Sequence, residues 1–312
     1  MTAHRIAIVG AGRMAQAHAG AWSRAGLGDA IAYVVSPRTR PQLDAAPHAR
    51  WVTRLEDVLA DAEVDLLSVC TPTPSHAEIA IEALSHGRNV LLEKPIALTV
   101  ADAEAVAEAA RRSTGVLMVA HVVRFMRQYA ELADRVADGS VGPVRAVRAA
   151  RLSSSPPGGS WFDDERRSGG ILVDFAIHDF DQANLLLGTP VAVRSVGTGE
   201  RAGDFGAPVA TTVEYANGGV AQVLSVADLP SDSEFRSGLD VVGTSGTDAV
   251  DASDAAQPSD DPFLTQARYF LECVETKAEP DRCPTEAAIA ALRVALAART
   301  SLASDARVPL VD

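Results

Sequence analysis

The N-terminal segment, in which a short apolar strand runs into a glycine-rich turn and then a helix, restricts the possible folds most strongly. Residues 5–9 read Arg-Ile-Ala-Ile-Val, residues 10–15 read Gly-Ala-Gly-Arg-Met-Ala, and a helical pattern continues to about Ala25. In a G-x-G-x-x-A turn the glycines allow a tight turn and the close approach of a pyrophosphate, which the helix N-terminus attracts. We therefore predict a dinucleotide-binding turn. The residues predicted to lie at the phosphates are Gly10, Gly12, Arg13 and Met14.

Strands and helices alternate over the first 120 residues. Apolar segments typical of buried parallel strands occur at residues 30–35, 64–70, 89–92 and 116–120. Helical segments lie between them, at about residues 55–60, 76–86 and 100–113, with Ser75 as an expected cap and Gly87 as an expected terminator. This alternation predicts an α/β fold, in which residues 1–120 form a Rossmann domain with a doubly wound parallel sheet.

The segment after the second strand bears on the choice of cofactor. A carboxylate at this position would bind the adenosine ribose 2′-OH of NAD, but the chain reads Ser36-Pro37-Arg38-Thr39-Arg40, and Asp29 lies at the opposite end of the strand. A hydroxyl and guanidinium groups suit a 2′-phosphate. We therefore predict that Ser36 and Arg38 favour NADP over NAD. The alternative is that these arginines are solvated loop charges.

Lys94 lies where ligands bind in open α/β sheets. The apolar strand 89–92 ends in Glu93-Lys94-Pro95, and Pro95 stops the strand because it has no N–H group. A lysine at the carboxyl end of such a strand points into the ligand-binding crevice. Alone, the tripeptide is more typical of a solvated turn, so its interpretation depends on the other motifs of the chain.

Beyond residue 120 the pattern changes to strands with few intervening helices. Strand segments occur at residues 144–152, 191–197, 209–215, 220–227 and 239–243, with the hairpin signal Asn217-Gly218 between two of them. Helical segments occur at about residues 125–138, 263–276 and 285–301. We predict a C-terminal α+β domain over residues 121–312 with a mostly antiparallel open sheet. Residues 248–261 are acidic and poor in bulky side chains, which predicts a surface loop.

Composition and charge make several classes of protein unlikely candidates. The 312 residues carry a formal net charge of −13, which argues against nucleic acid and anionic membranes as partners. No apolar run approaches the about 20 residues that cross a bilayer, and no signal-peptide pattern precedes the first strand, so we expect a cytoplasmic protein. Cys70, Cys273 and Cys283 lack metal-ligand spacing and are expected to be reduced thiols, with no metal site.

A Gly-Gly turn precedes an aspartate and a histidine four residues apart. Residues 168–178 read Ser-Gly-Gly-Ile-Leu-Val-Asp-Phe-Ala-Ile-His, so Asp174 and His178 are expected to share one face of a helix. Asp174 can orient an imidazole or favour its charged form. The alternative is a surface Asp–His pair without function. A metal pair at this spacing would need a third ligand, and the sequence suggests none.

Three motifs together resemble the family that groups glucose–fructose oxidoreductase, inositol dehydrogenase and MocA. They are the N-terminal G-x-G-x-x-A, the run 69–95 with its Thr71-Pro72 and Glu93-Lys94-Pro95, and the G-G-x-x-x-D-x-x-x-H of residues 169–178. Residues 124–129 also resemble a segment of inositol dehydrogenases. The resemblance implies a Rossmann domain followed by a domain whose open sheet often mediates homodimers or homotetramers.

The resemblance also implies an NAD(P)-dependent oxidoreductase that acts on CH–OH groups. Such an enzyme would transfer a hydride between nicotinamide and a sugar, an inositol or a related polyol or keto-sugar. The further cofactor contacts that the resemblance implies are made by Thr71, Pro72, His76, Glu93 and Lys94.

For the chemistry, we expect His178 to act as the general base on the hydroxyl, and as the acid in reduction, because its ordinary pKa is close to working pH. Lys94 is expected to donate a hydrogen bond to the same oxygen, or to carry the proton itself. Asp174 is expected to hold a second hydroxyl or to tune its neighbours. Arg124, Arg127 and Trp161 are weaker candidates for the substrate pocket, Trp161 as the tip of a lid or as plain packing.

Two other functions fit the same motifs. One is a non-catalytic sensor that binds NAD(P) and reports the redox state to a partner protein. Relatives of that kind tend to lose the lysine or the histidine, whereas Lys94, Asp174 and His178 are all present here. The other is a redox-neutral sugar enzyme that keeps its NAD tightly bound.

Overall fold

The computed structural model describes residues 4–37, 43–154, 161, 164–197, 206–253 and 261–310. The chain separates into two compact units. The first unit consists of Met1–Phe125 and Asp261–Glu286, and the second of Met126–Asp260 and Ala287–Asp312.

Within the described residues, six parallel strands form the sheet of the first unit, in the order β3-β2-β1-β4-β5-β6. The order reverses between β1 and β4, which is the arrangement of dinucleotide-binding folds. The predicted doubly wound parallel sheet is confirmed. Its strands are β1 (Ile6–Val9), β2 (Ile31–Val35), β3 (Arg50–Val52), β4 (Leu66–Val69), β5 (Asn89–Glu93) and β6 (Leu117–Ala120).

Helices connect these strands along the chain. They are α1 (Arg13–Trp22), α2 (Glu56–Leu59), α3 (His76–Ser85) and α4 (Val100–Arg112). Gly87 ends the α3 segment as predicted: its φ is +68°, and its N–H donates to the carbonyl of Leu84. The predicted cap by Ser75 is wrong. A 3₁₀ turn at Thr73–Ser75 runs directly into α3, so Ser75 is already helical and its hydroxyl lies 2.9 Å from Pro72 O instead.

The second unit is built on a mixed sheet in the order β12-β11-β7-β10-β9-β8-β13. Neighbouring strands are antiparallel except β7 and β10, which are parallel. The predicted mostly antiparallel sheet is confirmed. The strands are β7 (Val144–Ser154), β8 (Pro190–Gly197), β9 (Val209–Tyr215), β10 (Val220–Leu229), β11 (Arg236–Gly243), β12 (Thr247–Ser253) and β13 (Val308–Pro309). Helix α5 (Arg127–Ala137) precedes β7, and helices α6 (Glu165–Ser168) and α7 (Ile177–Leu187) lie between β7 and β8.

Helix α7 packs on β7 and covers one face of this sheet, whereas the other face carries exposed side chains among the described residues. Alternate residues of each strand are buried, as Val209, Thr211 and Val213 are on β9. The residues between them form what we call the open sheet face. Its exposed apolar side chains are Val196, Leu224 and Val242, and polar side chains on it include Arg148, Thr212 and Asp240.

The predicted loop over residues 248–261 is wrong for its described part, which is the edge strand β12. It pairs antiparallel with β11, and Val250 is its buried residue. The sequence pattern did not predict this strand because an edge strand can carry many polar side chains. One of them, Asp248, accepts hydrogen bonds from Arg135 at 2.7 and 3.1 Å. Residues 254–260 lie outside the described residues.

Two helices follow in the C-terminal part, α8 (Pro262–Thr276) and α9 (Thr285–Ser304). α8 belongs to the first unit, because Ala267 and Phe270 join the core cluster that contains Ile8 and Trp22. The compact units therefore differ from the predicted ranges 1–120 and 121–312. The difference consists of residues 121–125 and 261–286, which pack with the first unit.

By length and composition, α9 alone among the helices of the described chain could cross a membrane. Half of its apolar window is buried inside the protein, and Ala291, Leu292 and Ala295 are completely buried. Arg293 and Arg299 interrupt its apolar residues, so the sequence contains no continuous run of that length. A core helix of this composition passes the same test.

Candidate functional site

The carboxyl ends of four strands lie side by side at one edge of the first sheet. Val9 pairs with Val35 and with Val69, and Val69 pairs with Leu92. Ligands bind outside this edge in open parallel sheets. The residues that follow these positions are Gly10, Ser36, Cys70 and Glu93. The sheet thus brings several predicted site residues to one edge of the first unit.

The glycine turn has the geometry that a pyrophosphate requires. Gly10 has a φ of +120°, and a Cβ there would lie 2.5 Å from the carbonyl oxygen of Cys70. Gly12 is the N-cap of α1, and a Cβ there would meet nothing within 4 Å, so space remains beside the helix N-terminus. Arg13 and Met14 begin α1, and the small Ala15 is completely buried. These residues fit the predicted dinucleotide site.

Ser36 follows β2 and is buried. Its N–H donates to Val52 O at 3.0 Å, and its carbonyl accepts a bond from Trp51 Nε1 at 2.9 Å. These two bonds fix the backbone of Ser36 against β3. Arg38, the other residue predicted to choose the cofactor, lies outside the described residues.

Thr71 and Pro72 form the turn after β4, and His76 connects this turn to the end of β5. His76 is buried, with Nε2 2.8 Å from Thr71 O and Nδ1 2.8 Å from Pro95 O. Burial lowers the pKa of His76, and the hydrogen bonds to the two carbonyls oppose this effect. Because both ring nitrogens face backbone carbonyls, a direct contact of His76 with the cofactor stays a prediction.

Glu93 and Lys94 differ sharply in their surroundings. Glu93 is buried, with Oε1 2.8 Å from His18 Nε2 and Oε2 accepting a bond from Lys94 N at 3.2 Å. Lys94 is half-buried and is followed by a cis peptide bond to Pro95. Both carboxylate oxygens of Glu93 thus have protein partners, and its predicted contact with the cofactor stays a prediction.

Sequence reasoning missed His18. It lies on the buried face of α1 with Ala15, Ala19 and Trp22, the spacing of a core stripe. A histidine within an otherwise apolar stripe facing a sheet needs a buried hydrogen-bond partner. That pattern was the available signal, although it does not identify Glu93 as the partner.

In the second unit, the two glycines shape the turn that carries the Asp–His motif. Gly169 and Gly170 have φ values of +82° and +73°, and a Cβ at Gly169 would lie 2.5 Å from Val173 Cβ. The predicted need for glycine here is confirmed. The predicted single helix is corrected: Asp174 lies in a wide π-type turn, Ile171–Phe175, and His178 lies in the first turn of α7. Asp174 is buried and His178 is half-buried.

A buried ion pair holds the start of α7 beside His178. Arg151 Nε and Nη2 each lie 2.9 Å from an oxygen of Asp179, and the guanidinium packs over the ring of Phe175. Burial raises the pKa of Asp179, and the Arg151 charge opposes this. Sequence reasoning missed this pair too. Its signal was an arginine at an inward position of β7, after Val147 and Ala149.

The candidates for the substrate pocket are spread over different environments. Arg124 is buried and forms two hydrogen bonds with Arg282. Arg124 Nη1 donates to Arg282 O at 2.8 Å, and Arg282 Nη2 donates to Arg124 O at 3.1 Å. Arg127 is exposed beside Glu131, at 3.5 Å. Trp161 is half-buried, and its neighbours in sequence lie outside the described residues. Contacts of these residues with a substrate stay predictions. Among the described residues, no group of three or more His, Cys, Asp or Glu could hold a metal ion.

The strand order, the glycine turn and the Glu-Lys-Pro strand end define an α/β protein with a dinucleotide-binding unit, followed in the chain by a mixed-sheet unit. The chain belongs to the GFO/IDH/MocA family of oxidoreductases. Residues 4–121 match the family description "Oxidoreductase family, NAD-binding Rossmann fold", and residues 129–247 match "GFO/IDH/MocA C-terminal domain". The resemblance inferred from the three motifs is confirmed, and the first unit is an NAD-binding Rossmann domain.

Individual relatives are dehydrogenases by name. D-glucoside 3-dehydrogenase of Escherichia coli is 31% identical over 240 residues, which cover 69% of this chain and 68% of that protein. Myo-inositol 2-dehydrogenase of Thermotoga maritima is 30% identical over 191 residues, covering 60% of this chain and 56% of that protein. Among solved structures, GenD2 from gentamicin A biosynthesis in complex with NAD is 25% identical, with a TM-score of 0.85 over 99% of this chain and 97% of that chain.

Proposed function

We propose that this protein is an NAD(P)-dependent oxidoreductase that acts on a CH–OH group of a sugar, an inositol or a related polyol or keto-sugar. The observation that carries the proposal is the edge of the first sheet, where the glycine turn after β1 and the Glu93-Lys94 end of β5 belong to one row of strand ends. The family and the named activities of the relatives support it.

The chain's own residues have separate tasks in this proposal. A bound nicotinamide dinucleotide supplies the group that accepts or returns the hydride. Gly10 and Gly12 admit the pyrophosphate to the N-terminus of α1. Lys94 donates a hydrogen bond to the reacting oxygen of the substrate and stabilises the negative charge that develops there.

His178 takes the hydroxyl proton in oxidation and returns it in reduction, while the carbon-bound hydrogen leaves as hydride. Asp174 holds a second hydroxyl or tunes its neighbours. The group that carries the proton gives the pH profile of turnover its titration step. If this group is Lys94, the step will be lost in Lys94→Met and retained in His178→Gln. If it is His178, the step will be lost in His178→Gln and retained in Lys94→Met.

The first experiment is a fluorescence titration of the protein with NADPH and NADH, followed by a panel of inositols, hexoses and keto-sugars monitored at the nicotinamide absorbance. We expect a substrate-dependent absorbance change. Lys94→Ala and His178→Ala should still bind cofactor but lose turnover by about 10²–10⁴-fold. Unchanged activity in both variants would overturn the assigned roles.

The same experiment separates the competing functions. Cofactor binding without absorbance change across the panel favours a sensor. Cofactor that survives gel filtration, together with substrate turnover that leaves the nicotinamide absorbance unchanged, favours the redox-neutral enzyme.

For the cofactor we propose a preference for NADP over NAD. The support is the Ser36-Pro37-Arg38 sequence after β2, which offers a hydroxyl and a guanidinium in place of a carboxylate. Arg38→Ala should weaken NADPH binding by about tenfold, the loss of one charge-assisted contact, and leave NADH binding unchanged. An equal loss for both nucleotides would contradict this preference.

We propose further that the protein is a cytoplasmic homodimer or homotetramer whose partners are small molecules rather than nucleic acid or membranes. The net charge of −13 supports the choice of partners. The three cysteines are free and buried, which fits a reducing compartment. The open sheet face supports self-association, because it exposes Val196, Leu224 and Val242 on neighbouring parts of one sheet.

A further inference from the structure

A cluster of polar side chains is buried beneath the cofactor edge of the first sheet, and we call it the His18 cluster. It consists of His18 and Trp22 on α1, Ser68 on β4, Cys70 after β4 and Glu93 at the end of β5; none is more than 7% exposed. Trp22 Nε1 donates to Ser68 Oγ at 2.9 Å. His18 lies with Nδ1 3.3 Å from Ser68 Oγ and Nε2 2.8 Å from Glu93 Oε1.

The central pair of this cluster is His18 and Glu93, whose side chains lie 2.8 Å apart. Burial lowers the pKa of His18, but its interactions with Cys70 and Glu93 outweigh burial and raise that pKa to about 10. Burial raises the pKa of Glu93, but the bond with His18 outweighs it, and the pKa is lowered. The raised pKa of His18 and the lowered pKa of Glu93 both favour the pair of imidazolium and carboxylate. A buried pair of this kind costs desolvation of both ions, so it is weak evidence of added stability.

The pair is connected to Lys94 through the backbone. Glu93 Oε1 faces His18, and Glu93 Oε2 accepts a bond from the N–H of Lys94 at 3.2 Å. On the far side of Lys94, the carbonyl of Pro95 lies 2.8 Å from His76 Nδ1. The peptide group before Lys94 and the peptide group after Pro95 are thus each fixed by a buried side chain. Both buried side chains are held in turn by other parts of the unit, Glu93 by His18 and His76 by the carbonyl of Thr71.

This arrangement separates the lysine side chain from the groups that fix its backbone. Lys94 is half-buried, whereas His18, Glu93 and His76 are buried. His18 has no ring nitrogen turned to a ligand, since Ser68 and Glu93 occupy both. The titratable groups that face the pair are Cys70 toward His18, and Lys94 and His76 toward Glu93.

We propose that His18 is a positioning residue, which acts through Glu93 to fix the backbone from which Lys94 reaches the reacting oxygen. The proposal rests on the proposed function, in which Lys94 contacts the substrate oxygen. A displacement of about 1 Å in a reacting group costs about 10²-fold in rate. A rigid anchor on helix α1, beneath the sheet edge, prevents such a displacement.

The chain is well suited to a direct test, because Lys94 and Lys277 are its two lysines. Reductive methylation with ¹³C-formaldehyde gives each lysine its own NMR signal and retains its charge. Lys277 is exposed and serves as the internal reference. In His18→Gln we expect the Lys94 signal to shift or broaden, with and without NADH, while the Lys277 signal stays in place. The matched control is His86→Gln, which changes an exposed histidine of the same unit.

For the catalysed reaction, we expect His18→Gln to lower kcat by about 10- to 100-fold, while the KM values for cofactor and substrate change less than about threefold. His18 contacts neither ligand in the proposal, so binding should be largely retained. A second variant, the double substitution His18→Gln and Glu93→Gln, replaces the ion pair by neutral amides and keeps the test available if the single variant unfolds. The double variant should recover part of the wild-type Lys94 signal, because a hydrogen bond between the two glutamine side chains again fixes residue 93.

The outcomes distinguish this proposal from the proposed function. A wild-type Lys94 signal and kcat in folded His18→Gln, while Lys94→Ala abolishes turnover, would overturn the role of His18 alone. A Lys94 signal displaced in Glu93→Gln but not in His18→Gln would also overturn it. If no compound of the panel is turned over, the NMR comparison still tests the link between His18 and Lys94, since it needs no substrate.

Discussion

At the scale of single residues, the buried His18–Glu93 pair makes the stability of the first unit depend on pH. The folded-state pKa of His18 is raised from 6.5 to about 10, so its stabilisation is complete below pH 6.5 and is lost as the pH rises to about 10. The pKa of Glu93 is lowered from 4.5, so its stabilisation is present above pH 4.5 and is lost as the pH falls further. The pH-dependent contribution of the pair to the free energy of unfolding is therefore largest between pH 4.5 and 6.5.

We accordingly predict that the difference in the free energy of unfolding between the wild type and His18→Gln is largest near pH 6 and decreases toward pH 10. Urea unfolding at four or five pH values measures it. The exposed His86→Gln serves as the control, and its difference from the wild type should vary little over this range. A His18→Gln difference that is constant from pH 6 to 10 would show that His18 is neutral in the folded protein.

The two glycines of the cofactor turn allow a second prediction. A methyl group at Gly10 would collide with the carbonyl of Cys70 at 2.5 Å, in a backbone conformation that L residues rarely adopt, whereas one at Gly12 would meet no protein atom within 4 Å. Gly10→Ala should therefore lower both the melting temperature and NADPH affinity. Gly12→Ala should retain the melting temperature and lose affinity, because its methyl group occupies the space of the pyrophosphate. Tight NADPH binding by Gly12→Ala would contradict the predicted position of the phosphates.

At this scale, the sequence predicts residues whose role follows from spacing. Gly10, Gly169 and Gly170 are examples, because each adopts a positive φ that a local turn requires. His18 and Arg151 could not be assigned in the same way. Their partners, Glu93 and Asp179, are 75 and 28 residues away, and only the folded sheet brings them within hydrogen-bonding distance.

At the scale of elements, the assignment of α8 to the first unit has a direct consequence. A chain that ends at residue 125 contains all six described strands of the Rossmann sheet but lacks α8, and so it exposes the surface that Ala267 and Phe270 cover. We predict that this truncated chain aggregates or fails to unfold cooperatively. In the full chain, Phe270→Ala should lower the free energy of unfolding by about 3–5 kcal/mol, the usual cost of removing a completely buried ring. Cooperative unfolding of the chain 1–125 in circular dichroism would contradict this.

The same helix shows what an element pattern can and cannot predict. The apolar periodicity of α8 predicts a helix that buries one face, but it contains no information about which sheet the face covers. The central parallel strands were predicted because they are buried on both sides and read as continuous apolar runs. The short or polar edge strands β3, β12 and β13 were missed, because a strand with one neighbour and a solvent-exposed side has a weak pattern.

At the scale of the whole molecule, the two faces of the second sheet differ in the exposure of their apolar side chains. One face is covered by α7, while the open sheet face presents Val196, Leu224 and Val242 at 52, 41 and 44% exposure among charged neighbours. An extended mixed surface of this kind is typical of interfaces between protein subunits. A second copy of the chain is the partner that the proposed homo-oligomer supplies.

We therefore predict that Leu224→Lys shifts the protein to monomers, because two copies facing each other across a twofold axis would each bring this lysine into the interface. The matched control is Leu185→Lys. Leu185 is 45% exposed and lies on α7, away from the open sheet face, so its substitution should leave the mass unchanged. Light scattering after gel filtration gives the mass of each variant, and circular dichroism checks that both are folded. A wild-type monomer, or an equal effect of the two substitutions, would contradict this use of the face. If Leu224→Lys yields monomers that still bind NADPH, the first unit binds its cofactor independently of assembly, as expected for a site built from the strand ends of one sheet.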